Sequence, residues 1–160
     1  MIGQRSGTAM IEVAGATLAD LDEIDEIERL SFPAPWPRET FAAELAREWA
    51  RVDVAREADR IVAFCNYWLV TNELHVLAIA THPSVRGRGI ARELLERVLA
   101  GGVRAGCTLA TLEVRRSNTA AIALYERAGF KTVHVRARYY QDDGEDALVM
   151  LAELAPAGVG

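Results

Sequence analysis

Lysine is almost absent: Lys131 is the only one in 160 residues. A phosphate-binding P-loop needs Gly-Lys-Ser/Thr at the mouth of a helix, so that device is excluded. Cysteine is scarce as well. Cys65 and Cys107 each stand in an apolar stretch, which gives no disulfide framework and points to a reducing, cytoplasmic setting. Neither has a histidine near it in sequence, which disfavours a cysteine acyl-enzyme. His75, His82 and His134 lack metal-ligand spacing, so no metal site is expected. No apolar run approaches the ~18 residues of a membrane span, and the opening MIGQRSGTAM has no apolar segment of the secretory kind.

What charge there is lies unevenly. Residues 1–60 hold 7 basic and 13 acidic side chains, residues 86–138 hold 11 and 4, and residues 141–153 hold five acids and no base. A basic middle suits an anionic cofactor, and acidic flanks suit a cationic acceptor. A pI near 5.3 and no long basic stripe argue against direct nucleic-acid binding. Most of these charges also fit plain solvated helix faces.

Apolar periodicity orders the chain. A strand is expected over Met10–Ala14. A helix follows, on which Leu21, Ile24, Ile27 and Leu30 recur at helical spacing, with Thr17 or Asp20 as cap. SFPAPWP, residues 31–37, is a proline-stiffened loop presenting Phe32 and Trp36, and Arg38–Glu48 a short second helix. Strands are expected over Arg51–Arg56, Arg60–Val70 and Glu73–Ala80. Ile90, Leu94, Leu95, Val98, Leu99 and Val103 trace one face of a long helix, weakened at Gly101-Gly102 and closed by Gly106. Then come a strand over Leu109–Val114, a helix over Thr119–Ala128 capped by Asn118, and strands over Thr132–Tyr140 and Ala147–Leu154. The order β-α-α-β-β-β-α-β-α-β-β predicts an α/β (α+β) fold, a mixed sheet with helices on both faces. One domain is expected over 10–154, between a loose extension, 1–9, and a tail, 155–160.

The informative stretch is VRGRGIARELL, residues 85–95. Glycines let backbone approach a ligand closely, and the free N–H groups at a helix start attract an anion. Arg86, Arg88 and Arg92 add positive charge. A dinucleotide fingerprint would need Gly or Ala where Arg92 stands, and would lie in the first strand–helix turn. An ordinary tight helix entry is the plainer alternative.

The loop does not stand alone. Arg86-Gly87-Arg88-Gly89-Ile90-Ala91 matches Arg/Gln-x-x-Gly-x-Gly/Ala, and LEVRRSNTAAIALYERAGF, residues 112–130, follows. Together they resemble the GNAT family of acetyl-CoA-dependent N-acetyltransferases, from about Leu74 to Met150. SFPAPWP, Leu112–Arg115, Ser117-Asn118, Ala121–Tyr125 and RYYQDDGEDALVM, residues 138–150, narrow the resemblance to RimI-type ribosomal-protein alanine N-acetyltransferases. Two positions depart from the pattern: Thr81, where valine is frequent, and Arg138, where some members have asparagine.

The resemblance implies a mixed, mostly antiparallel central sheet of about seven strands. It implies acetyl-CoA as acetyl donor, its diphosphate held at Arg86, Gly87, Arg88, Gly89, Ile90, Ala91 and Arg92, and its pantetheine arm paired with the backbone of Ile79, Ala80 and Thr81. Asn118 would also touch the cofactor. An α-amine, with pKa about 7.7–8.0, is mostly protonated at neutral pH and must lose a proton before it attacks a thioester. Glu113, charged within the strand Leu112–Val114, is the candidate base; an exposed strand position is the alternative. Tyr125, neutral at pH 7, would protonate the departing sulfur; packing on an apolar face is the alternative.

Trp36 on one side, and Tyr139, Tyr140 and Glu145 on the other, would line the acceptor groove. The expected partner is the N-terminal peptide of a protein, a small-subunit ribosomal protein beginning with alanine. Acetylation of a small amine or a lysine side chain, and a non-catalytic acyl-CoA-binding module, stay open as alternatives.

Overall fold

The computed structural model describes residues 11–154. Met10 and the expected extension and tail lie outside the described residues. Seven strands and four helices follow in the order β1 (Glu12–Gly15), α1 (Leu21–Ser31), α2 (Arg38–Leu45), β2 (Ala50–Glu57), β3 (Arg60–Val70), β4 (Glu73–Thr81), α3 (Ile90–Arg104), β5 (Leu109–Arg115), α4 (Thr119–Arg127), β6 (Lys131–Arg136) and β7 (Ala147–Glu153). The sheet order is β1-β2-β3-β4-β5-β7-β6. β4 and β5 pair in parallel, whereas β1–β2, β5–β7 and β6–β7 are antiparallel. This is the mixed, mostly antiparallel sheet expected above. Among the described residues no helix is long and apolar enough to cross a membrane.

The described residues pack as two units, 11–66 with 78–95, and 67–77 with 96–154. In the first, Leu21, Ile24 and Ile27 of α1 and Phe41 of α2 bury against Val52, Val54, Ile61, Phe64 and Ala80. The fourth member of the expected α1 stripe does not join them. Leu30 is 51% exposed, and Glu28 is buried instead. Residues 21, 24, 27 and 28 lie within about 60° of one helical face at 100° per residue, whereas Leu30 has rotated away. α2 also ends earlier than expected, at Leu45 rather than Glu48. The Ala46 and Arg47 amides bond back three residues, to Ala43 O (3.2 Å) and Glu44 O (3.1 Å), a tightening that closes the helix.

In the second unit β5 alternates. Ala110, Leu112 and Val114 are buried, and Leu109, Thr111, Glu113 and Arg115 are half-buried on the other face. Opposite them on β7 stand Ala152, Met150 and Leu148. α3 runs through Gly101-Gly102 to Arg104. A Cβ on Gly102 would stand 2.6 Å from Leu74 Cδ1, so this glycine is there for close helix–strand packing. Gly106, at φ +97°, is the left-handed residue past the end. The expected strand Thr132–Tyr140 is cut short at its far end. β6 stops at Arg136, and the chain turns at Arg138, whose φ is +50°. Tyr139 and Tyr140 therefore sit in a loop, both amides donating to Glu145 O at 3.0 and 3.1 Å.

Candidate active site

The first unit carries the glycine loop. β4 ends at Thr81, and the His82 amide donates to Val62 O at 2.8 Å. A short turn over Pro83–Val85 follows, capped by the His82 side chain, which accepts from the Ser84 amide at 3.1 Å. Gly87 and Gly89 then adopt φ of +83° and +79°. A Cβ at either would meet nothing within 4 Å. Backbone conformation demands glycine here, and the main chain is approachable from outside. α3 begins at Ile90, and its first bond back to the loop is from Glu93 N to Gly89 O at 3.1 Å. The first amides of a helix precede its hydrogen-bond ladder, and at this end they belong to the glycine loop and the first turn of α3. Positive φ in a loop feeding a helix start is the construction of an anion-binding nest.

The side chains do something else. Ile90 is 2% exposed and faces the core, so it can offer only backbone. Arg86 Nε donates to Thr81 O at 2.9 Å and Arg86 Nη2 to Ser31 Oγ at 3.1 Å. Arg88 forms a two-pronged ion pair with Glu57, one contact 3.2 Å. Two of the three loop arginines thus brace the loop. Gly89→Ala is expected to cost about 1–2 kcal/mol of stability through φ alone. Gly15→Ala, at a glycine with open space and no positive φ, is expected to be neutral; paired urea melts check both.

The same unit presents Trp36. Its ring lies 5.4 Å from Phe41, and its amide donates to Glu28 Oε2 at 2.9 Å. Glu28 is 4% exposed, and its Oε1 has no hydrogen-bond partner. Burial pushes this carboxyl up, the Trp36 amide opposing. Sequence reasoning missed Glu28. Its signal was a carboxylate one residue beyond Ile27 on the apolar stripe.

The second unit carries Glu113, half-buried on β5. The Tyr139 hydroxyl donates to Glu113 Oε1 at 3.4 Å, and Arg136 Nε stands 3.3 Å from Glu113 Oε2. The Arg136 guanidinium lies 5.3 Å from the Tyr139 ring centroid. Tyr140 packs edge-on against Tyr139 at 5.2 Å. Burial pushes both phenols up, Tyr140 to about 12, and the Glu113 charge adds to the rise at Tyr139.

Arg115 organises the β6–β7 loop. Its guanidinium lies 4.1 Å from the Tyr140 centroid and bonds Asp142 (2.8 Å), Asp143 (3.1 Å) and Glu145 (3.4 Å). Glu145 Oε2 also accepts from the Ser117 amide at 2.6 Å. Three acids of the terminal cluster are therefore tied down by one arginine. The Arg138 amide donates to Asp146 Oδ1 at 3.0 Å. With φ at +50°, position 138 favours asparagine over arginine.

Asn118 caps α4, its Oδ1 accepting from the Ala121 amide at 3.2 Å. Tyr125 is 6% exposed and packs on Phe130 at 5.8 Å. Cys65 and Cys107 are buried free thiols, and burial raises both, which suits packing rather than nucleophilic attack. Ile79 and Ala91 are half-buried, Ala80 and Thr81 buried, and Arg92 exposed. The expected residues Glu113, Tyr139, Tyr140 and Glu145 are thus brought into one network, through Arg136 and Arg115, which sequence reasoning missed.

The chain is similar to known proteins in sequence and in fold. Over 139 residues the chain is 32% identical to the putative [ribosomal protein bS18]-alanine N-acetyltransferase of Bacillus subtilis, spanning 86% of this chain and 92% of that protein. It is 35% identical over 152 residues to the N-alpha-acetyltransferase RimI of Mycobacterium tuberculosis, spanning 89% and 92%. The crystal structure of the ribosomal-protein-S18-alanine N-acetyltransferase from Escherichia coli superposes with a TM-score of 0.85 at 32% identity, over 93% of this chain and 97% of that one. The model of the acetyltransferase (GNAT) family matches residues 21–130. The glycine loop and the Glu113 strand both fall inside that match, and the chain belongs to the GNAT acetyltransferase family.

Proposed function

We propose that this enzyme transfers the acetyl group of acetyl-CoA to the N-terminal α-amine of a protein, an N-terminal alanine on a small-subunit ribosomal protein, in the cytoplasm. One observation carries the reading. A carboxylate, Glu113, stands half-buried on β5 with the Tyr139 hydroxyl and the Arg136 cation on its two oxygens. That is a site for taking a proton from a cationic amine.

The family draws its acetyl group from acetyl-CoA, and the residues present fit that group. Gly87 and Gly89 leave open space where a side chain would block the backbone. The main-chain amides over 87–92 would hold the diphosphate, and the backbone of Ile79, Ala80 and Thr81 the pantetheine arm, with Asn118 at the cofactor as well. Bound there, the cofactor supplies an acetyl carbon activated as a thioester, with a thiolate as leaving group. Glu113 takes a proton from the acceptor nitrogen, and Tyr125 Oη holds the proton that a departing thiolate requires. Trp36, Tyr139, Tyr140 and Glu145 flank the acceptor, with residues 10–154 acting as one catalytic domain. Two relatives at 32% identity, from Bacillus subtilis and Escherichia coli, are named as [ribosomal protein bS18]-alanine N-acetyltransferases, the first putatively, and they support the alanine acceptor.

The test is incubation with acetyl-CoA and a panel of peptides with different first residues, read by mass spectrometry. Acetylation at the α-amine, with alanine followed by a basic residue preferred, is expected. Modification confined to lysine side chains or free small amines overturns the reading.

A further inference from the structure

β6 does not pair regularly with β7. Lys131 and Thr132 lie opposite Leu151 and Met150, but the next partner of Val149 is His134, so one extra residue is accommodated between Thr132 and His134. In a regular ladder Val133 would oppose Val149 and Val135 would oppose Ala147. Cross-strand partners share a face of the sheet, and a one-residue slip exchanges the faces. Here Arg136, not Val135, is opposite Ala147, and Ala147 is opposite Arg115. Val149 is opposite both His134 and Glu113. Glu113 and Arg136 thereby share one face, and Val135 goes to the other, opposite Leu148. The bulge re-aims a side chain beside a proposed reacting group, a common use of this device.

Arg136 then reaches Glu113 Oε2 at 3.3 Å. The pair is loose and wet: the Arg136 side chain is 51% exposed and that of Glu113 27%. Such pairs are worth little and exchange readily. The neighbouring arginine on that face, Arg115, is engaged by Asp142, Asp143 and Glu145, so Arg136 is the cation placed on Glu113.

An acceptor α-ammonium is likewise a cation with N–H donors, and it must come to the same carboxylate to lose its proton. Two cations on one carboxylate oxygen repel. We propose that Arg136 is a placeholder for the acceptor's α-ammonium, resting on Glu113 in the free enzyme and displaced when the peptide arrives. The inference rests on Glu113 as the proton acceptor. The acetylated product carries a neutral amide and cannot compete for the carboxylate, so Arg136 returns and favours release. Arg136 is in this sense a specificity-determining residue, discriminating amine from amide.

The test measures dissociation constants by calorimetry on CoA-loaded enzyme, where no transfer occurs. The two probes are an alanine-initiated peptide with no other charge and its Nα-acetylated form. Arg136→Met and Arg136→Gln are expected to bind the free-amine peptide about two- to fivefold more tightly, the range of an exposed ion pair. Binding of the acetylated form should be unchanged, and Arg136→Lys should stay near wild type. In a Glu113→Gln background, Arg136→Met should no longer alter free-amine binding. Weaker or unchanged binding of the free amine, an equal gain for the acetylated form, or a gain that persists in Glu113→Gln each overturns the placeholder. Wild-type turnover by Glu113→Gln is a different failure, that of the proton-acceptor assignment itself.

Discussion

Glu113→Gln is expected to lower kcat/KM for α-amine acetylation by about 10²–10⁴, or roughly 3–5 kcal/mol of transition-state stabilisation. The substitution keeps the shape of the side chain and a carbonyl oxygen for the Tyr139 hydroxyl. It removes the negative charge, and with it the capacity to take a proton. It also releases Arg136, but that guanidinium is half exposed and is solvated without penalty. Stability should therefore move by less than about 0.5 kcal/mol, as for most surface substitutions. Thiol release under saturating acetyl-CoA measures the rate, and a urea melt checks the fold. A rate within tenfold of wild type, on a normally folded variant, removes Glu113 from the mechanism.

Phe41→Ala is expected to have the largest effect on stability. Phe41 is 1% exposed and touches two other aromatic rings, Trp36 at 5.4 Å and Phe64 at 5.6 Å. Truncating a buried phenylalanine costs about 3–5 kcal/mol, from lost transfer energy and the cavity left behind. For a chain of this size that is roughly 6–20 °C in Tm. It is also a large share of the roughly 5–15 kcal/mol that holds such a domain folded. The cavity opens beside Trp36, so with Trp36 at the acceptor, as proposed, the acceptor KM should rise as well, measured at a temperature where the variant remains folded. A change of under 1 kcal/mol would mean that the α1–α2 packing tolerates the void.

The glycine loop was legible because its determinants are local. Gly87 and Gly89 take positive φ, a conformation other residues avoid, and the apolar stripe from Ile90 to Leu99 declares the helix that follows. Asn118 likewise caps the helix it precedes. Glu113 was legible because alternation along Leu109–Arg115 is a property of the strand alone. The Leu30 position was misread because a stripe counted every third residue drifts around a helix of 3.6 residues per turn. The end of β6 was misread because apolar and aromatic residues continue to Tyr140, while the chain leaves the ladder at Arg136.

By itself, then, the amino-acid sequence determined the family, the order of elements, the glycine turn and the strand that bears Glu113. Each of these rests on φ preference, helical period or strand alternation over a few neighbouring residues. Tertiary structure decided which cations face which carboxylates. The bulge at Val133 sets Arg136 on the Glu113 face, and Arg115 gathers acids from a loop about thirty residues further on. Those choices depend on strand register and on long side chains meeting across a fold, quantities that no local pattern encodes.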